Sequence, residues 1–500
     1  MDRQYLHMRG SQMNLIDKVV GYVSPKKGME RAKQRRLLNK YEALEPSRYR
    51  KNRRSKQTTL ENTSLSFDKL REMARHLEEN TPIATSIVDA FVNNVVGEKG
   101  IQVEPMPLNN DGTVNETLQK EIKKYWALFC RYTDTRRNAM PQVQRLLTNH
   151  WIVDGEVFAQ HITHHNLFKQ KNKLPYIQQL IEADYLPNWG NGNDVVAGIQ
   201  FDSWLNPTNY LFAKNPNGIL TSNNTVAVGA DHVMHLALRR KINQVRGITR
   251  FASVINSVTD LQDYEKSERI AAKIAASMVG YIKKEMPNEE FTLRDYEDAE
   301  EELGREAGNM IEIAPGMFAH NLGIGEDIGL IQSNRSSAYL TEFSKHMVRN
   351  IAKGSGASYS TASGDYNGTY SAQRQELLEQ WQHYKVLQNE FGCQYLQPTF
   401  IKFVQCLIEA RWITVPKSVW LVDNAQYLAP VMPWIDPYKE IMAHKVAIEI
   451  GTKSRTETIT ERGDAPAETF EHIKKEKELG IFNQIGKDDE KVLQDSEQKE

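Results

Sequence analysis

The stretch that decides the fold runs from Ser333 to Phe391, around Gly354-Ser-Gly-Ala-Ser-Tyr-Ser-Thr-Ala-Ser-Gly-Asp-Tyr-Asn-Gly368. On its N-terminal side Leu340, Phe343, Met347 and Ile351 recur at the three-and-four spacing of one buried helical face. That spacing predicts a helix over about Ser336 to Lys353. On the other side Leu377, Leu378, Trp381, Tyr384 and Leu387 predict a second helix, Tyr370 to Phe391, with no Gly or Pro to interrupt it. The residues between are small and turn-forming. A long connection without structure of its own is a functional loop or a surface linker. Two strong helices holding its ends favour a mobile, functional loop presented at a fixed place.

Upstream, Arg246-Gly-Ile-Thr249 opens a long helix from about Arg250 to Val279, striped by Phe251, Val254, Ile255, Val258 and Leu261. Its second half is alanine-rich, at Ala271, Ala272, Ala275 and Ala276. Small residues suit close packing on an internal core or on other copies, although alanine is also the best helix former. Then the charge turns acidic: Glu285 to Glu306 holds ten acids against Arg294 and Arg305. With short strands at Met310-Ile-Glu-Ile and Ile328-Gly-Leu-Ile, residues 280–332 read as a strand-and-turn insertion between two helices.

Toward the N-terminus, Lys18 to Lys56 is a basic run that includes Lys26, Arg35, Arg50 and Arg54. It is either a solvated arm or an attractor of nucleic acid or an acidic protein. Phe67 to Val96 is helical with a break at Thr81-Pro82, a good N-cap and first-turn pair. A short strand at Ile101 to Pro105 and helices over Thr117–Arg131 and Val143–Val153 lead into the turn Asp154-Gly-Glu and a strand. His161, His164 and His165 follow that strand without a supporting carboxylate or Cys, so they are expected to be exposed rather than metal ligands. Pro175 to Val233 is β-rich, like a meander or small mixed sheet. Near the C-terminus, helices are expected over 398–412, 438–450 and 466–479.

The length of 500 residues has room for about three domains. A net charge of -1 argues neither for nor against a polyanionic partner. Cys130, Cys393 and Cys406 lack redox or metal spacing and read as buried apolar residues in a reducing compartment. No apolar run is long enough for a membrane span and no signal-peptide pattern follows the start, so the expectation is a soluble, cytosolic chain. No catalytic, cofactor-binding or metal-ligating set stands out. Lys353-Gly-Ser-Gly has the elements of a phosphate loop in the wrong order, and Gly323-Ile-Gly-Glu-Asp-Ile-Gly lacks the spacing of a dinucleotide turn. The acids leave a metal-dependent nucleic-acid-processing enzyme, a nuclease, as the alternative from another class. A scaffolding module that never touches DNA is a third.

Several short motifs, in order, give the chain a specific likeness. They are Met13-Asn-Leu-Ile-Asp, Leu70-Arg-Glu-Met-Ala-Arg-His-Leu-Glu-Glu-Asn-Thr-Pro82, Asn94-Val-Val-Gly97, Asp154-Gly-Glu-Val-Phe158, Ile181-Glu-Ala-Asp184 and Gly198-Ile-Gln-Phe-Asp202. His235, Gln244-Val-Arg-Gly-Ile248, Asp263-Tyr-Glu265, Asn350-Ile-Ala352 and Gly364-Asp-Tyr-Asn367 follow. Together they resemble a lambda-type bacteriophage portal protein over about 13–480. One departure is Asn367-Gly-Thr-Tyr-Ser-Ala372, where the family carries a more compact Asn-Tyr-Ser-Ser type of sequence.

The resemblance implies an α+β portal fold with long stem helices, β-rich wing and clip insertions and a helical crown, assembled as a ring-shaped homo-oligomer, a dodecamer in the virion. It divides the chain into a basic arm (1–56), wing (57–245), stem helix (246–279), clip (280–332), second stem helix (333–353), channel loop (354–369), long wing helices (370–432) and crown with tail (433–500). Tyr359, Asp365, Tyr366 and Asn367 would face double-stranded DNA in the channel. Glu300, Glu301 and Glu302 would dock the packaging motor. The implied partners are other copies of the chain, the terminase large subunit, head-completion or adaptor proteins, and the major capsid and scaffolding proteins, with no membrane. The implied place is the capsid portal vertex, after assembly in the host cytoplasm.

Overall fold

The computed structural model describes residues 67–163, 174–188, 194–214, 224–277, 281–284, 326–329, 337–432 and 437–480. The basic arm, His164, His165, the strand expected at 310–313 and Glu300, Glu301 and Glu302 lie outside the described residues. The chain divides into two compact units, one of residues up to Ile255 and from Ile351 onward, the other Asn256–Asn350.

The first unit opens on helices α1 (Phe67–Asn80) and α2 (Pro82–Val95). Pro82 starts α2 as expected, but Thr81 is buried and its side chain makes no capping bond. Strands β1 (Gln102–Pro105) and β2 (Leu108–Asn109) precede helices α3 (Glu116–Arg131) and α4 (Met140–Val153). Strand β3 (Glu156–Thr163) is the centre of a three-stranded antiparallel sheet, between β4 (Tyr176–Ile181) and a later strand, β9. Strands β5 (Val195–Val196), β6 (Ile199–Phe201), β7 (Pro207–Ala213) and β8 (Thr225–Gly229) form a four-stranded meander, followed by β9 (Val233–Ala237). Phe158, Ile199, Tyr210 and Phe212 share one core with Ile181 and Leu186.

The second unit holds most of helix α5 (Ile255–Ser277), the ribbon of β10 (Tyr281–Lys284) with β11 (Glu326–Gly329), and the start of helix α6 (Ser337–Ser355). Within it the rings of Tyr264 and Phe343 meet edge-on, centroids 4.8 Å apart. The predicted stripe of α6 is only partly covered: Phe343 is exposed, Leu340 and Met347 are half-buried, and Ile351 in the last turns is buried.

Back in the first unit, a short helix α7 (Tyr359–Ser363) precedes α8 (Tyr370–Phe391), which continues through a π-helical turn, Gly392–Leu396, into α9 (Gln397–Glu409). Pro398 explains the wide turn. It has no N–H to give to Gln394, and its ring would strike that carbonyl. The N–H of Gln397 reaches back to Gly392 instead. Strands β12 (Val419–Leu421) and β13 (Ala425–Leu428) return to pair with β2 and β1. Helices α10 (Pro437–Ile450), α11 (Arg455–Glu461) and α12 (Pro466–Glu478) follow.

Two side chains in this unit depart from the burial expected of them in the sequence. Cys393 is exposed, not buried. His161 lies inside β3 and is buried, its Nδ1 2.6 Å from the Tyr176 hydroxyl. That hydroxyl also accepts from Gln178 Nε2 at 2.8 Å. Gln178 also donates to Thr399 at 2.9 Å and accepts from the Tyr395 hydroxyl at 2.8 Å, tying the sheet to α9 and the π-turn. A histidine at the end of an apolar strand looks exposed in sequence because the hydroxyl that satisfies it is on the neighbouring strand.

The start of β3 depends on a backbone contact. Gly155 has φ of +85°, and a Cβ on Gly247 would lie 2.0 Å from the Gly155 carbonyl oxygen. A Cβ on Gly155 would lie 2.2 Å from the Ile248 carbonyl carbon. Gly247→Ala should therefore destabilise the protein by at least about 3 kcal/mol, since neither backbone can give way. Gly112→Ala, at positive φ but in open space, should cost about 1 kcal/mol. Denaturant melts of the two variants against the parent check this ordering.

Burial pulls the His161 pKa down to about 4, helped by the charges of Lys402 and His232. A folded value below the unfolded one means stability is full above about pH 6.5 and is eroded as pH falls toward 4, by on the order of 2–3 kcal/mol. His161→Gln should flatten the decline in melting free energy between pH 6.5 and 4.5 relative to the parent. His150, raised overall by its bond to Asp154 against burial, works in the opposite sense but is common to both proteins.

Candidate functional site

The segment between α6 and α8 is folded. Helix α6 closes with a left-handed turn at Gly356, φ +83°, where the N–H groups of Gly356 and Ala357 both reach Ala352 O at 2.9 Å. Ser358 caps α7 through Thr361 N at 3.2 Å. Glu376 of α8 accepts from Tyr359 N at 2.7 Å and Ser360 N at 3.3 Å, and Thr361 donates to Gln380 at 3.1 Å. Ser355, Ala357, Ser358 and Ala362 are buried. The expected mobile loop is thus reduced to a short tip after Gly364.

The glycines expected to supply mobility supply room. A Cβ on Gly354 would stand 2.4 Å from Val254, and one on Gly356 would stand 2.3 Å from the Arg250 guanidinium. Arg250 donates from Nε to Ser355 O at 2.6 Å and lies over the Phe91 ring, 5.0 Å from its centroid. Ser253 adds a bond to Gly354 O at 3.2 Å. The residues just before α5 are thereby fastened to the last turn of α6, within the first unit.

The four tip residues singled out in the sequence do come together. The Tyr359 hydroxyl donates to Asp365 Oδ2 at 3.2 Å, and Asp365 Oδ1 accepts from Asn367 N at 3.1 Å. Tyr366 is exposed, and its carbonyl accepts from Gln373. Between Lys353 and Arg374 the only formal charge is Asp365. Sequence reasoning missed Arg250, Glu376 and Gln380. Their partners lie 16 to 105 residues away in the chain, beyond any local pattern.

Five of the quoted motifs meet at or beside one buried polar junction. Arg246 donates from Nε to Glu156 Oε1 at 2.7 Å and from Nη1 to the Leu186 and Ala197 carbonyls at 3.1 and 2.9 Å. Glu156 Oε2 accepts from Gly247 N at 2.8 Å and from His235 Nε2 at 3.1 Å. Burial alone would raise the Glu156 pKa, but the Arg246 charge and the His235 bond outweigh it and hold the carboxyl well below the usual range. Burial keeps His235 neutral, its pKa lowered to about 4 against the pull of Glu156. Beside this junction Arg75 bridges Asp154 and Asp184, each at 2.7 Å, and Arg71 reaches Asp184 at 3.0 Å. These are positioning groups: Glu156 and Arg246 satisfy each other and the backbone, leaving neither free for chemistry. Among the described residues no group of three or more His, Cys, Asp or Glu side chains could hold a metal ion, and no helix is long and apolar enough to cross a membrane.

The junction, the Arg250 clamp and the tip all lie within one family match: the model described as "Phage portal protein, lambda family" covers residues 46–388. The chain is 25% identical over 441 residues to the "Probable portal protein" of Halomonas phage phiHAP-1, covering 84% of this chain and 82% of that one. It is 24% identical over 268 residues to the "Portal protein" of Escherichia phage N15, covering 48% and 49%. Among solved structures, a chain in the virion of the native gene transfer agent particle aligns over 80% of this chain and 94% of its own, at 10% identity and a TM-score of 0.48, a likeness too loose to weigh. The family match spans the helix pair, the tip and every motif of the buried junction, and gives the nuclease alternative no support. The chain belongs to the lambda family of phage portal proteins, and its role is that of a capsid portal.

Proposed function

We propose that copies of this chain close into a ring at the portal vertex of a phage capsid, and that double-stranded DNA passes through the ring during packaging and ejection. The family membership over residues 46–388 carries this reading. The exposed apolar side chains Ile270, Phe343, Leu378 and Val386 support it, because a subunit alone leaves them in water and a head-to-tail neighbour would cover them. In this reading α5 and α6 are stem helices, 280–332 is the clip, and 433–500 belongs to the crown. Glu300, Glu301 and Glu302 dock the terminase large subunit and later the head-completion proteins through electrostatic complementarity. The protein acts as a structural component of the virion, without catalysis, and is assembled in the host cytoplasm with major capsid and scaffolding proteins.

The tip after Gly364 is the part offered to DNA. With no Lys or Arg between Lys353 and Arg374, it cannot grip phosphates by ion pairing, which is the source of most non-specific affinity. Its contribution is steric, from Tyr366 and Asn367 on a spur that Tyr359, Asp365 and Glu376 hold in place.

Native mass spectrometry should find a closed oligomer; a monomer across all salt and protein concentrations would contradict the ring. Trimming Gly364–Gly368, which leaves the packed residues 354–362 intact, should preserve rings but lower packaged DNA. Asp365→Lys should slow DNA passage in a salt-dependent way. Loss of rings on trimming, with Asp365→Lys neutral, would make the tip a packing element between subunits.

A further inference from the structure

Beside the clamp lies a second, smaller feature with a charge imbalance. A cavity of about 300 Å³ in the first unit is lined by Arg239, Arg240, Lys241 and Arg250, with Glu390 as its one acidic residue. Its cationic rim is held in shape. Gln244, itself buried, accepts from Arg240 N at 3.0 Å and donates to the Leu238 and Arg246 carbonyls at 3.0 and 2.8 Å. Arg239 is turned aside to His235 and the Val245 carbonyl. Among the described residues, Arg240, Lys241 and Arg250 have no carboxylate within ion-pairing distance. Burial lowers the Arg250 pKa, and repulsion from Arg240 adds to it. Burial raises that of Glu390 against the attraction of Arg250, so one carboxylate faces four cationic side chains of the lining. Ile242, next in the chain to the lining residue Lys241, is fully exposed.

We propose that this cavity is the socket for a carboxylate side chain of a second copy of the chain, seated beside an apolar contact on Ile242. The proposal rests on the ring reading. Duplex DNA is the poorer occupant. Its phosphates sit on a rod far broader than the cavity, whose walls include Leu238, Ile248 and Leu387, and it has no use for an exposed isoleucine. A carboxylate on a protein surface meets both requirements. A second copy also has the charge: net charge is -1, so the positive surplus here is balanced by acids elsewhere on the same chain. A head-to-tail ring sets one flank of each subunit against the opposite flank of its neighbour.

The test is carbodiimide coupling, which joins an amine to a touching carboxylate as an amide, on oligomers assembled from equal parts of unlabelled and nitrogen-15-labelled chain. Lys241 should appear in mixed-isotope peptides joined to an Asp or Glu of another copy. Arg240→Glu, an exposed position whose backbone bond to Gln244 is retained, should reduce that product and weaken association at least tenfold while leaving the subunit's melting unchanged. Closed oligomers in which Lys241 couples to no other copy would overturn the proposal. So would protection of the Lys241 amine from acetylation by duplex DNA but not by assembly, which would make the cavity a phosphate site. A parent chain that stays monomeric defeats the ring reading itself, is seen before any coupling is attempted, and takes this proposal with it.

Discussion

The carbonyl of Gly155 lies where any side chain on Gly247 would have to stand, and much of the subunit follows from that contact. It brings the start of the central strand against the segment that leads into the long helix α5. Glu156 and Arg246, the neighbours of the two glycines, are then buried together, each as the other's counter-charge. Such a pair is a weak source of net stability, because both ions leave water. Its value is positional: a slip of one residue would leave a buried charge unpaired. Four residues after Arg246 the chain reaches Arg250, which holds the end of α6 by the Ser355 carbonyl. Register in the sheet is in this way passed, within the first unit, to the last turn of α6.

Much of this architecture was legible. The helix from Tyr370 to Phe391, the break at Thr81-Pro82, the turn into β3 and the strands after Pro175 all show the spacing that their burial requires. The stripe of Phe251, Val254, Ile255, Val258 and Leu261 is buried throughout. What was misread depends on partners far away in sequence. Gly354 and Gly356 looked like sources of freedom, yet they are small so that Val254 and Arg250 can approach. His161 looked solvated because Tyr176 and Gln178, which satisfy it, are on another strand. Phe343 and Leu378 have the right spacing for a core but are exposed in the single chain, since periodicity does not say whether the covering surface belongs to the same molecule. Tyr359 and Asn367 both bond to Asp365; the helix and the Glu376 and Gln380 bonds that hold this segment have no local pattern in the sequence.

In the proposed reading of the tip as the part offered to DNA, the same geometry bears on how a channel can be both firm and slippery. A tip that must not bind phosphate strongly needs few cations, and this one has none. A tip that must not collapse under passing DNA needs support, and α7 receives it from α8 through Glu376. Positive charge is instead gathered at Arg239, Arg240 and Lys241, which line a cavity together with Arg250.

Residues 356–362 form an anchored spur rather than a slack loop, and amide hydrogen exchange on the assembled protein reads this residue by residue. The amides of Gly356, Ala357, Tyr359, Thr361 and Ala362, all donors here, should exchange at least about a hundredfold more slowly than in an unstructured peptide of the same sequence. Exchange at the peptide rate across all five would mean the segment is slack.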